Sequence, residues 1–75
     1  MQLSELRQGQ SAEILSIGGN GAFRRRVLEM GILKGLRVQV EKYAPLKDPM
    51  EIIVRGNHIS LRVEEAAKIS VTEIH

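Results

Sequence analysis

The sequence contains no cysteine, so neither a disulfide nor a thiolate metal site can support this 75-residue chain. Phe23 and Tyr43 are its only aromatic residues, too few for the stacking platforms that bind single-stranded nucleic acids. No apolar run approaches the ~18 residues of a membrane span, and residues 1–11 are polar where an export signal needs an apolar stretch. We therefore expect a cytoplasmic protein that is stabilised by core packing alone.

The charges are nearly balanced along the chain. Eleven Lys and Arg residues against nine Asp and Glu residues give a net charge of +2, a weak bias for a nucleic-acid-binding protein. Hydrophobic residues make up 43% and charged residues 27% of the sequence, as in an ordinary folded domain rather than a disordered segment. The length predicts one domain, residues 1–75, that buries only about 60% of its unfolded surface.

The first half of the chain predicts one strand and one helix. Ser11–Ile17 alternates imperfectly and contains β-branched residues, as expected of a strand. Three glycines within residues 18–21 predict a turn, because they would be costly inside a regular element. Asn20 can cap a helix over about residues 21–30, and Gly31 suits the left-handed position after its end.

The second half predicts the remaining strands. Apolar and polar residues alternate over residues 36–43, which indicates a strand with one buried face. Helix formers at residues 63–67 predict a short helical turn before a last strand that directs Ile69 and Val71 inward. With a hairpin between these segments, the chain has five short strands and one inserted helix. This order predicts a mainly β fold, a small and partly open five-stranded barrel.

The hairpin register can be predicted from the sequence between residues 50 and 62. Gly56-Asn57 is a dipeptide of the kind that two-residue hairpin turns favour. If Arg55 pairs with His58 around this turn, Ile52 meets Leu61 and Glu51 meets Arg62 across the strands. Apolar residues then pair with apolar residues, and an acid pairs with a base.

Two segments have the character of a protein-binding surface. The helix carries Arg24 and Arg25 beside the apolar Leu28, and guanidinium groups suit an acidic partner surface. The alternative is a solvated helix face on which Arg25 pairs with Glu29. The loop after the second strand has a proline at each end, and we expect its apolar side chains to be exposed and pre-ordered for binding. The candidate partner surface comprises Arg24, Arg25, Leu28, Tyr43, Pro45, Leu46, Asp48, Pro49 and Met50.

Residues suited to catalysis or metal binding are sparse. The two histidines, His58 and His75, lie 17 positions apart and neither has ligands at the usual spacing. No serine or histidine comes with a recognisable base and orienting group. We therefore predict no catalytic residues, no cofactor and no dedicated metal site. A metal site at His58 would need a carboxylate such as Glu51 or Glu64.

Residues spread over the whole chain resemble those of a known family, the small ferrous iron transport proteins A, or FeoA. The positions that carry the resemblance are Leu3, Leu6, Gly9, Ala12, Ile14, Arg25, Leu28, Met30-Gly31-Ile32, Lys34-Gly35, Ala44-Pro45-Leu46, Asp48-Pro49-Met50, Ile59-Ser60-Leu61-Arg62, Glu65-Ala66, Ile69 and Val71. The sequence departs from the family pattern at Lys34, where proline is frequent, and at Lys47, where glycine is common.

The resemblance implies an SH3-like barrel with an added helix. It also implies a cytoplasmic accessory of FeoB, the membrane transporter of ferrous iron with a cytoplasmic GTPase domain. On this hypothesis the chain contacts the transporter through the arginine-bearing helix and the loop from Pro45 to Pro49. It modulates Fe(II) transport without catalysis and without binding the iron, and weak self-association stays open.

Two rival functions remain at the level of the sequence. A small basic barrel could bind nucleic-acid phosphates through Arg24, Arg25 and Arg26, with an affinity that falls steeply with salt. A similar barrel also forms the regulatory C-terminal domain of iron-dependent repressors of the diphtheria toxin repressor type. Because no helix-turn-helix precedes the barrel in this sequence, we favour the transporter accessory.

Overall fold

Five strands and two helices follow one another along residues 1–74, the part of the chain that the computed structural model describes. A short 3-10 turn at Leu3–Glu5 precedes the first strand. The strands and helices are β1 (Ser11–Ile17), α1 (Gly21–Glu29), β2 (Arg37–Tyr43), β3 (Met50–Val54), β4 (Asn57–Leu61), α2 (Val63–Ala66) and β5 (Ile69–Ile74). The predicted mainly β fold with an inserted helix and a second helical turn is confirmed.

The strands form one antiparallel sheet in the order β4-β3-β2-β1-β5. Alternate residues of β2, of β3 and of the first half of β5 are buried on the same side, as the two-residue period of a strand requires. Ile69 and Val71 are fully buried, as predicted. The core comprises Leu3, Leu6, Ala12, Ile14, Phe23, Val27, Ile32, Val38, Val40, Met50, Ile52, Val54, Leu61, Ala66, Ile69 and Val71.

The N-terminal segment packs against the core and bonds to two strands of the sheet. Leu3 and Leu6 are buried, and the backbone of Met1 bonds to Val71 of β5. The Gly9 N–H then donates to the carbonyl oxygen of Val40 in β2 at 2.8 Å. The segment therefore connects β5 to β2. Its two buried leucines enlarge a core that is thin in so short a chain.

Helix α1 begins and ends where its sequence predicts. The Asn20 side chain accepts a hydrogen bond from the Phe23 N–H at 2.8 Å, which satisfies one free donor of the first turn. Gly31 follows the last turn with φ of 88°, the left-handed conformation that glycine adopts most readily. Phe23 and Val27 attach the helix to the core. Arg24, Arg25 and Leu28 on the other side of α1 are exposed.

Strand β1 has an irregularity at Leu15. Its pairing with β5 shifts register between Ile14 and Ser16, so Leu15 is the extra residue of a β-bulge. The pairing of β1 with β2 covers only Ser11 to Glu13. Beyond Glu13, β1 bonds to the turn before β2 instead of to β2 itself. The Gly35 N–H donates to the Ile14 carbonyl oxygen at 2.7 Å. The end of β1 therefore projects past β2 toward α1.

The predicted register of the hairpin is wrong by two residues. Ile52 pairs with Ile59 rather than with Leu61, and the turn consists of Arg55-Gly56 rather than Gly56-Asn57. Arg55 and Gly56 have φ of 53° and 80°, and a two-residue turn with both central φ values positive matches the twist of its strands. The buried face is unchanged, because a shift of two residues keeps every side chain on its own side of the sheet.

Candidate functional site

A groove lies between the projecting end of β1 and the outer face of α1. Its walls are Leu15, Ser16, Ile17, Arg24, Leu28 and Lys34, and they enclose a volume of about 280 Å³. We call it the α1 groove. The bulge in β1 and the four-residue spacing of Arg24 and Leu28 on the helix bring these side chains to one place.

Two of the exposed large apolar side chains of the domain, Leu15 and Leu28, lie in the walls of the α1 groove. Leu28 is 49% exposed, Leu15 is 40% exposed, and Leu33 next to the groove is 38% exposed. Leu28 was predicted from the sequence to lie off the buried stripe of α1, and it does. Leu15 and Leu33 were missed. The only signal for Leu15 is the Ile14-Leu15 pair, since alternation leaves one of two adjacent apolar residues facing outward.

The charged groups at the α1 groove are basic. Within residues 1–74, no carboxylate lies at ion-pair distance from Arg24, Arg25 or Lys34, so the predicted alternative pair of Arg25 with Glu29 does not form. The neighbouring Arg26 differs, because it forms an ion pair with Glu65 of α2. Two of the three consecutive arginines are therefore available to an anionic partner, and the third connects α1 to α2.

A second hollow lies between the N-terminal segment and the loop after β2. It measures about 530 Å³, and its walls are Ser4, Leu6, Arg7, Gln8, Tyr43, Lys47 and Val63. The Tyr43 hydroxyl donates to the carbonyl oxygen of Leu6 at 2.5 Å and lies 3.2 Å from that of Ser4. Burial of this hydroxyl raises the pKa of Tyr43 above its ordinary value. Tyr43 therefore holds the N-terminal segment in place.

The loop after β2 presents fewer binding groups than the sequence predicts. Pro45 and Leu46 are exposed, and Leu46 reaches 89%. Met50 was expected to be exposed but is fully buried, because it pairs with Tyr43 and Leu61 as the first residue of β3. Met50 cannot contact a partner in this conformation.

Two further residues of the loop make structural contacts. Asp48 accepts a hydrogen bond from the Val63 N–H at 3.0 Å and lies 3.6 Å from the Arg62 guanidinium. Pro49 is half-buried, and the Asp48–Pro49 peptide bond is cis. Lys47 has φ of 66°, a conformation that favours glycine. The loop is thus attached to the start of α2.

The residues predicted to form one partner surface fall into two groups. Arg24 and Leu28 line the α1 groove, whereas Tyr43 lines the hollow beside the loop, and the two cavities share no residue. Helix α2 links the two regions, since its Val63 bonds to the loop and its Glu65 pairs with α1.

The histidine that the structure describes is engaged with a single acid. His58 Nδ1 in β4 lies 3.2 Å from Glu41 Oε1 in β2. Glu51, one of the carboxylates that a metal site at His58 would need, instead lies 3.6 Å from Lys42 Nζ. Residues 1–74 contain no group of three or more side chains arranged to hold a metal ion. His75 lies outside the described residues.

Helices α1 and α2 are short, and within residues 1–74 no helix has the length and apolarity to cross a membrane.

Comparison with known proteins connects this fold to iron transport. An Fe(2+) transport protein A/Fe(2+) transporter FeoB fusion protein of Porphyromonas gingivalis is 46% identical over 71 residues, which cover 95% of this chain. The chain spans only 8% of the length of that fusion protein. In one protein, therefore, a segment similar to this chain is joined to FeoB.

Solved structures match over the full fold. The solution structure of FeoA from Chlorobium tepidum has a TM-score of 0.94 at 37% identity, covering 100% of this chain and 71% of that one. A zinc complex of FeoA from Stenotrophomonas maltophilia, described as a prokaryotic SH3 domain protein, has a TM-score of 0.83 at 33% identity, covering 95% and 88%. The expected SH3-like fold is thereby confirmed. The model of the FeoA domain matches residues 1–73, and the chain therefore belongs to the FeoA domain family, which is linked to ferrous iron transport.

Proposed function

We propose that this chain is a cytoplasmic accessory of a FeoB-type ferrous iron transporter, which it binds and whose Fe(II) transport it modulates without catalysing a reaction. The observation that carries the proposal is the fusion protein, in which a segment 46% identical to this chain is joined to FeoB. Two domains encoded in one chain are held at a high effective concentration, which favours function through mutual contact.

The surface chemistry supports a binding role. Leu28 and Leu46 are large apolar side chains with much of their surface in water, and exposed apolar groups beside polar ones are typical of protein-binding sites. Two surfaces are candidates for this contact: the outer face of α1 with Arg24 and Arg25, and the tip of the loop at Pro45 and Leu46. Removal of either surface from water on binding supplies the driving force.

Co-purification with the transporter tests binding directly. Tagged FeoB from the same organism is solubilised in detergent and incubated with the purified chain, with an unrelated SH3-like domain of similar charge as the control. We expect the transporter to retain this chain and not the control. Equal retention of both, or of neither, contradicts the binding proposal.

Uptake measurements test modulation. We expect initial rates of radioactive ferrous iron uptake to change in cells that lack the gene and to recover when the gene is restored. Uptake that is unchanged by the deletion contradicts the proposed role. The nucleic-acid alternative predicts binding of short duplex and single-stranded probes at low salt. We expect no such binding, because the net charge is only +2 and two aromatic residues are too few to stack bases.

A further inference from the structure

We infer that the α1 groove is the part of the surface that binds the transporter, and that its ligand is a short segment presenting aliphatic side chains flanked by carboxylates. This inference rests on the proposed accessory function and adds to it the position of the contact and the chemistry of the partner segment.

The shape of the α1 groove suits a segment of protein. One wall is the bulged end of β1 with Leu15 and Ile17, and the other is the helix face with Leu28. These apolar side chains line a concavity of about 280 Å³, large enough for one or two aliphatic side chains rather than a whole domain. Bulges recur beside functional sites because they redirect a side chain, as the bulge at Leu15 does here.

The charge at the α1 groove defines the polar part of the ligand. Arg24 and Lys34 belong to its walls, and Arg25 is exposed on the same helix. No residue in the walls is acidic, and within the described chain no carboxylate neutralises these cations. Carboxylates on the partner are therefore the complementary groups, and such complementarity selects the partner and speeds association.

An anionic membrane surface is the main alternative for a basic, apolar patch. Membrane-binding surfaces insert protruding apolar groups into the lipid, whereas Leu15 and Leu28 stand in the walls of a concavity. The side chain that does protrude is Leu46 in the loop. The geometry at the groove therefore favours a protein segment over a lipid surface.

The hollow beside the loop is lined partly by groups that already hold the fold together. Leu6 in its wall is only 2% exposed, and the Tyr43 hydroxyl there is already bonded to the backbone. Because Leu46 is a more exposed leucine outside the α1 groove, it provides a matched control for substitutions of Leu28.

Binding of the detergent-solubilised transporter to immobilised variants tests the inference. We expect Leu28→Glu to weaken binding at least about tenfold, since it removes an apolar anchor and repels carboxylates. The double variant Arg24→Glu with Lys34→Glu should weaken binding comparably, and more salt should weaken binding of the unmodified chain. Leu46→Glu should stay within about twofold of the unmodified chain, because that leucine lies outside the α1 groove. All four positions are exposed, so circular dichroism should show each variant folded.

Photo-crosslinking identifies the partner segment. We expect Leu28→benzoylphenylalanine to crosslink to a transporter peptide containing aliphatic residues and at least one Asp or Glu, and Leu46→benzoylphenylalanine not to crosslink. Vesicles of anionic phospholipid test the alternative that the α1 groove binds a membrane surface. We expect no vesicle binding that depends on Leu28.

The outcomes separate the inference from the proposed function. If the unmodified chain binds the transporter but the groove variants bind equally well, or only Leu46→Glu fails, the groove inference is overturned and the accessory function stands. A crosslinked peptide without acids, or vesicle binding that Leu28→Glu abolishes, also overturns the inference. If the unmodified chain does not bind the transporter at all, the proposed function itself is overturned.

Discussion

Substitution of Gly19 tests whether the turn before α1 holds the helix in place. Gly19 has φ of 81°, and a Cβ atom built there would lie 2.7 Å from Cδ2 of Phe23 and 3.3 Å from the Lys68 side chain. Phe23 is the core residue of the first helical turn, and Lys68 Nζ lies 4.9 Å from the centre of its ring. Alanine at this position therefore forces the Phe23 ring to move.

The structure gives two separate contributions to the cost of Gly19→Ala. A left-handed conformation costs an L-residue roughly 1–2 kcal/mol. The displacement of a packed ring adds about 1–3 kcal/mol, the usual cost of overpacking. We expect the free energy of unfolding to fall by roughly 2–5 kcal/mol in total. In a domain of this size, 2 kcal/mol corresponds to a decrease in Tm of at least about 8 °C.

Urea and thermal denaturation followed by circular dichroism measure this effect, with Gly21→Ala as the matched control. Gly21 is the first residue of α1, its φ is not positive and nothing lies within 4 Å of a Cβ built there. Alanine there should raise stability by about 0.4–1 kcal/mol, because it restricts the unfolded chain without strain. The reasoning is refuted if Gly19→Ala is as stable as the unmodified protein, or if both variants change stability in the same direction by similar amounts.

Three further changes should have measurable effects on stability. Arg55→Asn and Lys47→Gly should each raise the free energy of unfolding in urea by up to about 1 kcal/mol, because Asn and Gly tolerate the positive φ at these positions. Asn20→Ala should lower it by about 1 kcal/mol through loss of the cap on the Phe23 N–H. Burial raises the pKa of Tyr43 above its ordinary value. The contribution of the neutral Tyr43 hydroxyl to the free energy of unfolding is therefore present below pH ~10, the pKa of an unfolded tyrosine, and is lost as the pH rises through the folded-state pKa.

Each of these expectations has its own contradicting result. Destabilisation by Arg55→Asn or by Lys47→Gly would show that the backbone at that position does not have positive φ. Unchanged stability in Asn20→Ala, with Asn20→Asp as the conservative control, would remove the proposed cap. For Tyr43, the difference in stability between the unmodified chain and Tyr43→Phe should shrink above pH ~10, and a difference that is constant with pH contradicts the argument.

The error in the hairpin shows the limit of local sequence patterns. Gly56 can occupy either position of a two-residue turn, and both registers place Ile52 and Val54 on the buried face. Apolar pairing therefore could not decide between them. Arg55 adopts the positive φ that the observed register needs, although arginine is not a residue that predicts this conformation.

The candidate site was predicted only in part. Arg24 and Leu28 could be found because they lie on the exposed side of a helix whose buried stripe is clear from Phe23 and Val27. Met50 was misassigned, because a methionine that follows a proline can end a loop or begin a strand. Leu15 was missed because a β-bulge has no reliable sequence signal at a single position.

The sequence by itself determined the order and type of the strands and helices, the ends of α1 and the inward residues of the last strand, because these depend on local periodicity and capping. Only the tertiary structure decided the strand register, the burial of Met50 and the meeting of Leu15, Leu28 and Lys34 in one groove. Those features depend on contacts between residues far apart in the chain, where the packing of the whole core selects among local arrangements of similar energy.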